Sequence, residues 1–173
     1  VRDRVLAGGF DTRDHPYPGN VALISQSGAG MSGIVDCEQR IQFNFAVSSG
    51  YELTVAMEDY LDYALDLPET RVVGLFLETS RYPEKLIKAF KKDNQRNIPI
   101  VVLKVGRTDL AAELAISHSG ALAGSDQCYS ALFDQYGVQR VADMDQLATT
   151  LIMFAQPKTV SEGGLVCLHD SGG

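Results

Sequence analysis

Val21-Ala22-Leu23-Ile24-Ser25-Gln26-Ser27-Gly28-Ala29 decides the fold. Four apolar residues in succession, without polar alternation, mark a strand buried on both faces, and such strands belong to parallel sheets covered by helices. The small and polar residues that follow cannot prolong the strand. They make a tight turn into a helix expected over 30–40. Strand, small-residue turn and helix together are the first half of a βαβ unit.

The rest of the chain repeats this alternation. Further strands are expected at Phe43–Val47, Val72–Leu77, Ile98–Leu103 and Val138–Val141. Between them lie helix-length segments. The segment 54–66 places Met57, Leu61, Ala64 and Leu65 near helical spacing and closes at Leu67-Pro68. The segment 83–96 carries Leu86, Ile87 and Phe90 among many lysines, a charge run read as a solvated helix face. Helices are also expected over 125–135 and 144–155. The predicted fold is therefore α/β, a three-layer doubly wound parallel sheet of flavodoxin-like type with strand order 2-1-3-4-5.

Three domain segments follow: a lead-in over 1–19, the α/β domain over 20–156, and over 157–173 a linker with the first strand of a following domain. The chain starts without methionine and stops at Ser171-Gly172-Gly173 just past the apolar run Leu165-Val166-Cys167-Leu168, so a piece of a longer polypeptide is expected.

Composition narrows the function. Of 173 residues, 45% are hydrophobic and 21% charged, as in soluble globular proteins. The net charge of −7, with no tryptophan and no basic patch interleaved with aromatics, argues against nucleic acid. Nothing resembles a signal peptide or a membrane span. Cys37, Cys128 and Cys167 are far apart and form no CxxC pair, so no metal site is expected and reduced thiols in the cytoplasm are the simplest account.

In a doubly wound sheet, ligands bind beyond the carboxyl ends of the strands, at the switch point between strands one and three. Three features converge there. Ser25, Gln26, Ser27, Gly28 and Ala29 lead into a helix N-terminus, where outward amides, serine hydroxyls and the helix dipole suit a phosphoryl group. An ordinary N-cap and turn would read the same way. Glu78 follows strand three directly. Strand four ends near Lys104-Val105-Gly106-Arg107-Thr108, ahead of Ser117-His118-Ser119-Gly120-Ala121. His118 stands among turn-forming and hydrogen-bonding residues rather than core side chains, which suits an imidazole that meets an incoming group, and equally suits a loop histidine without a task. A carboxylate such as Glu78, accepting from one ring N–H, would fix the tautomer and free the other nitrogen to attack. Gly28-Ala29-Gly30-Met31-Ser32-Gly33 imitates a dinucleotide fingerprint, but strand two ends at Ser48-Ser49 with Glu52 only beyond it, so the ribose-binding acid is not in place. Walker, HExxH and GxSxG motifs are absent from the sequence.

Asn20 through Ala29, Pro99 through Thr108, Ser117 through Asp126, and Gly137-Val138 with Arg140-Val141 resemble the second domain of NDP-forming acyl-CoA synthetases, relatives of succinyl-CoA synthetase and ATP-citrate lyase. The resemblance implies a ligase in which acyl-CoA and phosphate interconvert with acyl phosphate and CoA. The phosphoryl group passes through a histidine matching His118, supported by a glutamate matching Glu78. A swinging loop carries it to a nucleotide on an ATP-grasp domain. Ser25 through Ala29 match one phosphate-holding helix start, and Ser171, Gly172 and Gly173 match the beginning of a second. It further implies CoA, ATP with Mg2+, and phosphate as cofactors, a carboxylic acid or acyl-CoA as substrate, and CoA-binding and ATP-grasp domains or subunits as partners. A homo-oligomer is compatible with it, and this chain alone is expected to be inactive. Two stretches depart from the family pattern. Gly50-Tyr51-Glu52-Leu53-Thr54 stands where many members have Gly-Asn-Glu, and Asp109-Leu110-Ala111-Ala112-Glu113 replaces a glycine-rich segment. The first departure leaves open an alternative, a catalytically silent ligand-sensing module such as those fused to acyltransferases.

Overall fold

A computed structural model describes residues 19–106, 125–157 and 163–164. Five strands run β1 Val21–Ser25, β2 Phe43–Ser48, β3 Val72–Leu77, β4 Ile100–Lys104 and β5 Gln139–Val141. The helices are α1 Gly28–Val35, α2 Met57–Asp66, α3 Pro83–Arg96, α4 Asp126–Tyr136 and α5 Met144–Phe154. All strand pairs are parallel, and the order is β2-β1-β3-β4-β5, as the sequence predicts.

Alternation along each strand splits the interior into two layers. Val73, Leu75 and Leu77 of β3 face α2, α3 and α4, meeting Leu61, Leu65, Leu86, Phe90 and Phe133. Val72 faces the other layer, where α1 and α5 bring Met31, Ile34, Leu147 and Leu151. Burying each such leucine or phenylalanine contributes about 1.5–3 kcal/mol, so these contacts dominate the packing. At Gly74 a Cβ would lie 2.9 Å from Leu151 Cδ1 and 3.2 Å from Leu23 Cδ1, so the missing side chain is what lets α5 lie close on β3.

The lysine-rich face of α3 is not simply solvated. Lys92 pairs with Asp62 (2.7 Å) and Asp66 (2.8 Å) of α2, Lys85 with Asp59 (2.7 Å), and Arg96 with Asp66 (3.0 Å). Exposed pairs of this kind contribute at most about 1 kcal/mol each. They align two helices that the apolar contacts already hold.

Element ends differ from expectation for local reasons. α1 begins at Gly28 because Ser27 caps it, its Oγ accepting from Gly30 N at 3.1 Å. α2 begins at Met57 rather than 54 because Glu52 Oε1 accepts from Met57 N at 3.1 Å and Asp59 Oδ2 from Ala56 N at 3.1 Å, fixing the preceding residues as a loop. β4 begins at Ile100 because Asn97 ends α3 in a left-handed conformation and Pro99 has no N–H to give. The expected strand at 165–168 and residues 1–18 of the expected lead-in over 1–19 lie outside the described residues.

Candidate functional site

Strand register sets the site. Ser25 pairs with Ser48 on one side and Phe76 on the other, and Leu77 pairs with Lys104. The first residues past the sheet are therefore Gln26, Ser49, Glu78 and Val105, all at one edge. β1 lies between β2 and β3, so the loops after β1 and β3 diverge at the switch point. A cleft of about 320 Å3 opens there, lined by Gln26, Ser27, Gly28, Ala29, Gly50, Tyr51 and Glu78.

One wall is the start of α1. Within the described residues, the N–H groups of Gly28 and Ala29 make no hydrogen bond, since the Ser27 cap serves Gly30 and the Ser27 carbonyl serves Met31. Two amides at the positive end of a helix dipole, in a cleft, form a cradle for an anion. The five residues predicted for phosphate divide by role. Ser27, Gly28 and Ala29 face the cleft. Ser25 is fully buried, and its Oγ donates to Ser27 O (2.7 Å) and accepts from Ser27 N (3.2 Å), shaping the turn from beneath. Gln26 borders the cleft, but its amide is committed. Oε1 accepts from Glu78 N (2.7 Å) and Thr79 N (3.0 Å), and Nε2 donates to Glu52 Oε1 (2.9 Å) and Thr79 O (2.7 Å).

The opposite wall is Glu78, half-buried, on a backbone gripped from several elements. Besides the Gln26 bond to its N–H, its carbonyl accepts from Lys104 Nζ at 2.6 Å. The next residues are fixed as well: Ser80 N donates to Tyr129 Oη (2.8 Å), Ser80 Oγ donates to the Glu58 carboxylate, and Arg81 Nε pairs with Glu52 Oε2 (3.3 Å). Side chains from α2, β4 and α4 thus hold one short loop, which fixes the Glu78 backbone at the cleft. Lys104 is itself buried beneath this loop, with Nζ 4.9 Å from the Tyr129 ring centroid. Burial pushes its ammonium below the usual lysine range, against the pull of Asp126 and Glu78.

Sequence reasoning missed the residue that joins the walls. Glu52 has a left-handed backbone (φ 53°) and a side chain almost wholly buried. Its Oε1 accepts from Gln26 Nε2, Ser49 Oγ (2.7 Å) and Met57 N, while Oε2 faces Arg81. This carboxylate belongs to the scaffold and is not free to hold a ribose. Its sequence signal is slight: an acid just past the end of strand two, in the turn Gly50-Tyr51-Glu52-Leu53-Thr54, where it reads only as a misplaced ribose-binding acid and a departure from the family pattern. His118, Arg107 and Ser171 to Gly173 lie outside the described residues, as do His15, His169 and Cys167. Among the described residues, no group of three or more His, Cys, Asp or Glu side chains could hold a metal ion, and no helix is long and apolar enough to cross a membrane.

Parallel α/β topology with an amide-lined cleft at the switch point defines a flavodoxin-like domain. Residues 18–154 match the succinyl-CoA ligase-like flavodoxin domain, and the chain belongs to that family. It is 33% identical over 160 residues to an ADP-forming acetate–CoA ligase of Methanocaldococcus jannaschii, covering 91% of this chain and 22% of that protein. It is 35% identical over 161 residues to an ADP-forming 4-hydroxybutyrate–CoA ligase of Nitrosopumilus maritimus, covering 91% of this chain and 23% of that one. The chain therefore spans less than a quarter of the length of these relatives. Among solved structures, a dinucleotide-forming acetyl-coenzyme A synthetase of Candidatus Korarchaeum cryptofilum, in complex with phosphate and ADP, superposes with a TM-score of 0.70 at 31% identity, over 77% of this chain and 29% of that one.

Proposed function

We propose that this chain is the phosphohistidine-bearing domain of an NDP-forming acyl-CoA synthetase, with His118 as the phosphoryl carrier. One observation carries the reading: Glu78 and the free amides of Gly28 and Ala29 share one cleft, at the sheet edge where β4 ends, 14 positions before His118 in the chain. The family and the ligase names of the relatives support it.

The chemistry balances in three steps. The His118 imidazole takes the terminal phosphoryl group of ATP and releases ADP. The carboxylate of the acid takes that group from His118, giving acyl phosphate and free imidazole. The CoA sulfur then attacks the acyl carbon; phosphate leaves, taking up the thiol proton. Glu78 accepts a hydrogen bond from the ring and balances its charge while it carries phosphorus. The α1 amides hold the phosphoryl oxygens during the second and third steps. Ser171, Gly172 and Gly173 are proposed to begin a second anion-holding helix. CoA and ATP with its Mg2+ are bound by partner domains, in a cytoplasmic assembly, and this chain by itself completes no turnover.

The test uses the full-length protein and γ-labelled ATP. The wild type acquires an acid-labile label and forms acyl-CoA from a carboxylic acid. His118→Asn folds normally and loses label and ligase activity together. Ligase activity that survives in this variant rejects the covalent route. A wild type that binds acyl-CoA yet never takes up label is the silent sensing module instead.

A further inference from the structure

We infer that Tyr51 selects the acid: its ring forms the wall against which the substrate's side chain lies, favouring carboxylic acids with a flat aromatic side chain over acetate. The inference rests on the acyl phosphate site proposed above. Tyr51 lines the same cleft as the Gly28 and Ala29 amides and Glu78. A phosphoryl group is a few water volumes in size, at about 30 Å3 per water, and fills only part of a cleft of about 320 Å3. The remaining space adjoins Gly50, which has no side chain, and Tyr51, which lines the cleft and is 64% exposed.

An exposed tyrosine in the lining of an anion-sized cradle is matched by a ligand with an anionic head and an apolar, flat tail. The ring also stands on a rigid platform. Gly50 (φ 57°) and Glu52 (φ 53°) flank it in left-handed conformations. Arg81 Nη2 donates to Tyr51 O at 3.0 Å, and the Glu52 carboxylate accepts three hydrogen bonds and one ion pair. Such preorganisation lets stacking discriminate between substrates instead of ordering a loose loop.

The experiment compares benzoate with acetate as substrates of the full-length protein, with CoA and ATP. The wild type has the higher kcat/KM for benzoate. Tyr51→Phe keeps that preference, because the face remains. Tyr51→Asn lowers the benzoate-to-acetate ratio by about tenfold or more, through the KM for benzoate and not the KM for CoA. A ratio that does not move, a change confined to the CoA KM, or a loss that accompanies dissociation of the assembly overturns the inference. Binding of 4-fluorobenzoate in saturating phosphate, followed by fluorine NMR, separates this from failure of the phosphohistidine reading. If label and ligase activity are absent but binding is seen and depends on Tyr51, the inference stands and the carrier role falls. If the probe does not bind, or binds equally to Tyr51→Asn, the inference falls.

Discussion

Gln26 is the residue on which the cleft's geometry turns. One amide makes four hydrogen bonds that tie the end of β1 to the β3–α3 loop and to Glu52. Gln26→Ala removes the acceptor of the Glu78 N–H, at a cost of about 1–3 kcal/mol by the usual penalty for an unmet buried donor. Urea unfolding is expected to show that loss, and a variant as stable as the wild type would contradict the assignment. Asp93 acts in the opposite sense. It is buried at the last turn of α3, and desolvation raises its carboxyl from 3.8 to about 7. Its folded pKa lies above its unfolded one, so its contribution to stability is full at low pH and is lost as pH rises from about 4 to 7. Asp93→Asn is therefore expected to raise the melting temperature at pH 8 and to gain little at pH 4. Equal shifts at both pH values would show that burial is not the cause.

At the scale of elements, the close approach of α5 to β3 depends on Gly74. Gly74→Ala places a methyl within 3 Å of Leu151 and 3.2 Å from Leu23, both fully buried. The expected cost is about 1–3 kcal/mol, the range for overpacked cores, read as a lower denaturation midpoint with an unchanged slope. Leu151→Ala in the same chain relieves the clash, so the double variant loses less than the sum of the two single ones. The α2–α3 pairs invite the opposite expectation. They cross the surface, apolar contacts carry the packing, and their share fades with added salt.

At the scale of the whole molecule, the topology was legible because parallel strands buried on both faces write themselves as apolar runs. Glu78 was legible because it breaks such a run at its end, and Ser27 because a small polar residue before a helix is an N-cap. The depth of the site was not legible. Gln26, Glu52 and Thr79 are separated by 26 and 53 positions from first to second and third, and only the register of β1 against β2 and β3 brings the Gln26 amide to the Glu52 carboxylate and the Thr79 backbone. Ser25 and Ser27 look alike in sequence, yet one is enclosed under the turn and the other caps the helix, because Ser25 is the last residue of β1 and Ser27 lies past the sheet, just before α1. The Tyr51 loop shows what this division of labour permits. The bonds that fix its path use the Tyr51 carbonyl and the Glu52 carboxylate and leave the phenol aside. Under the acid-selecting role proposed for Tyr51, a single codon change at position 51 re-tailors one side of the pocket while the backbone frame persists, and the loop becomes a place where descendants of the gene acquire new substrates.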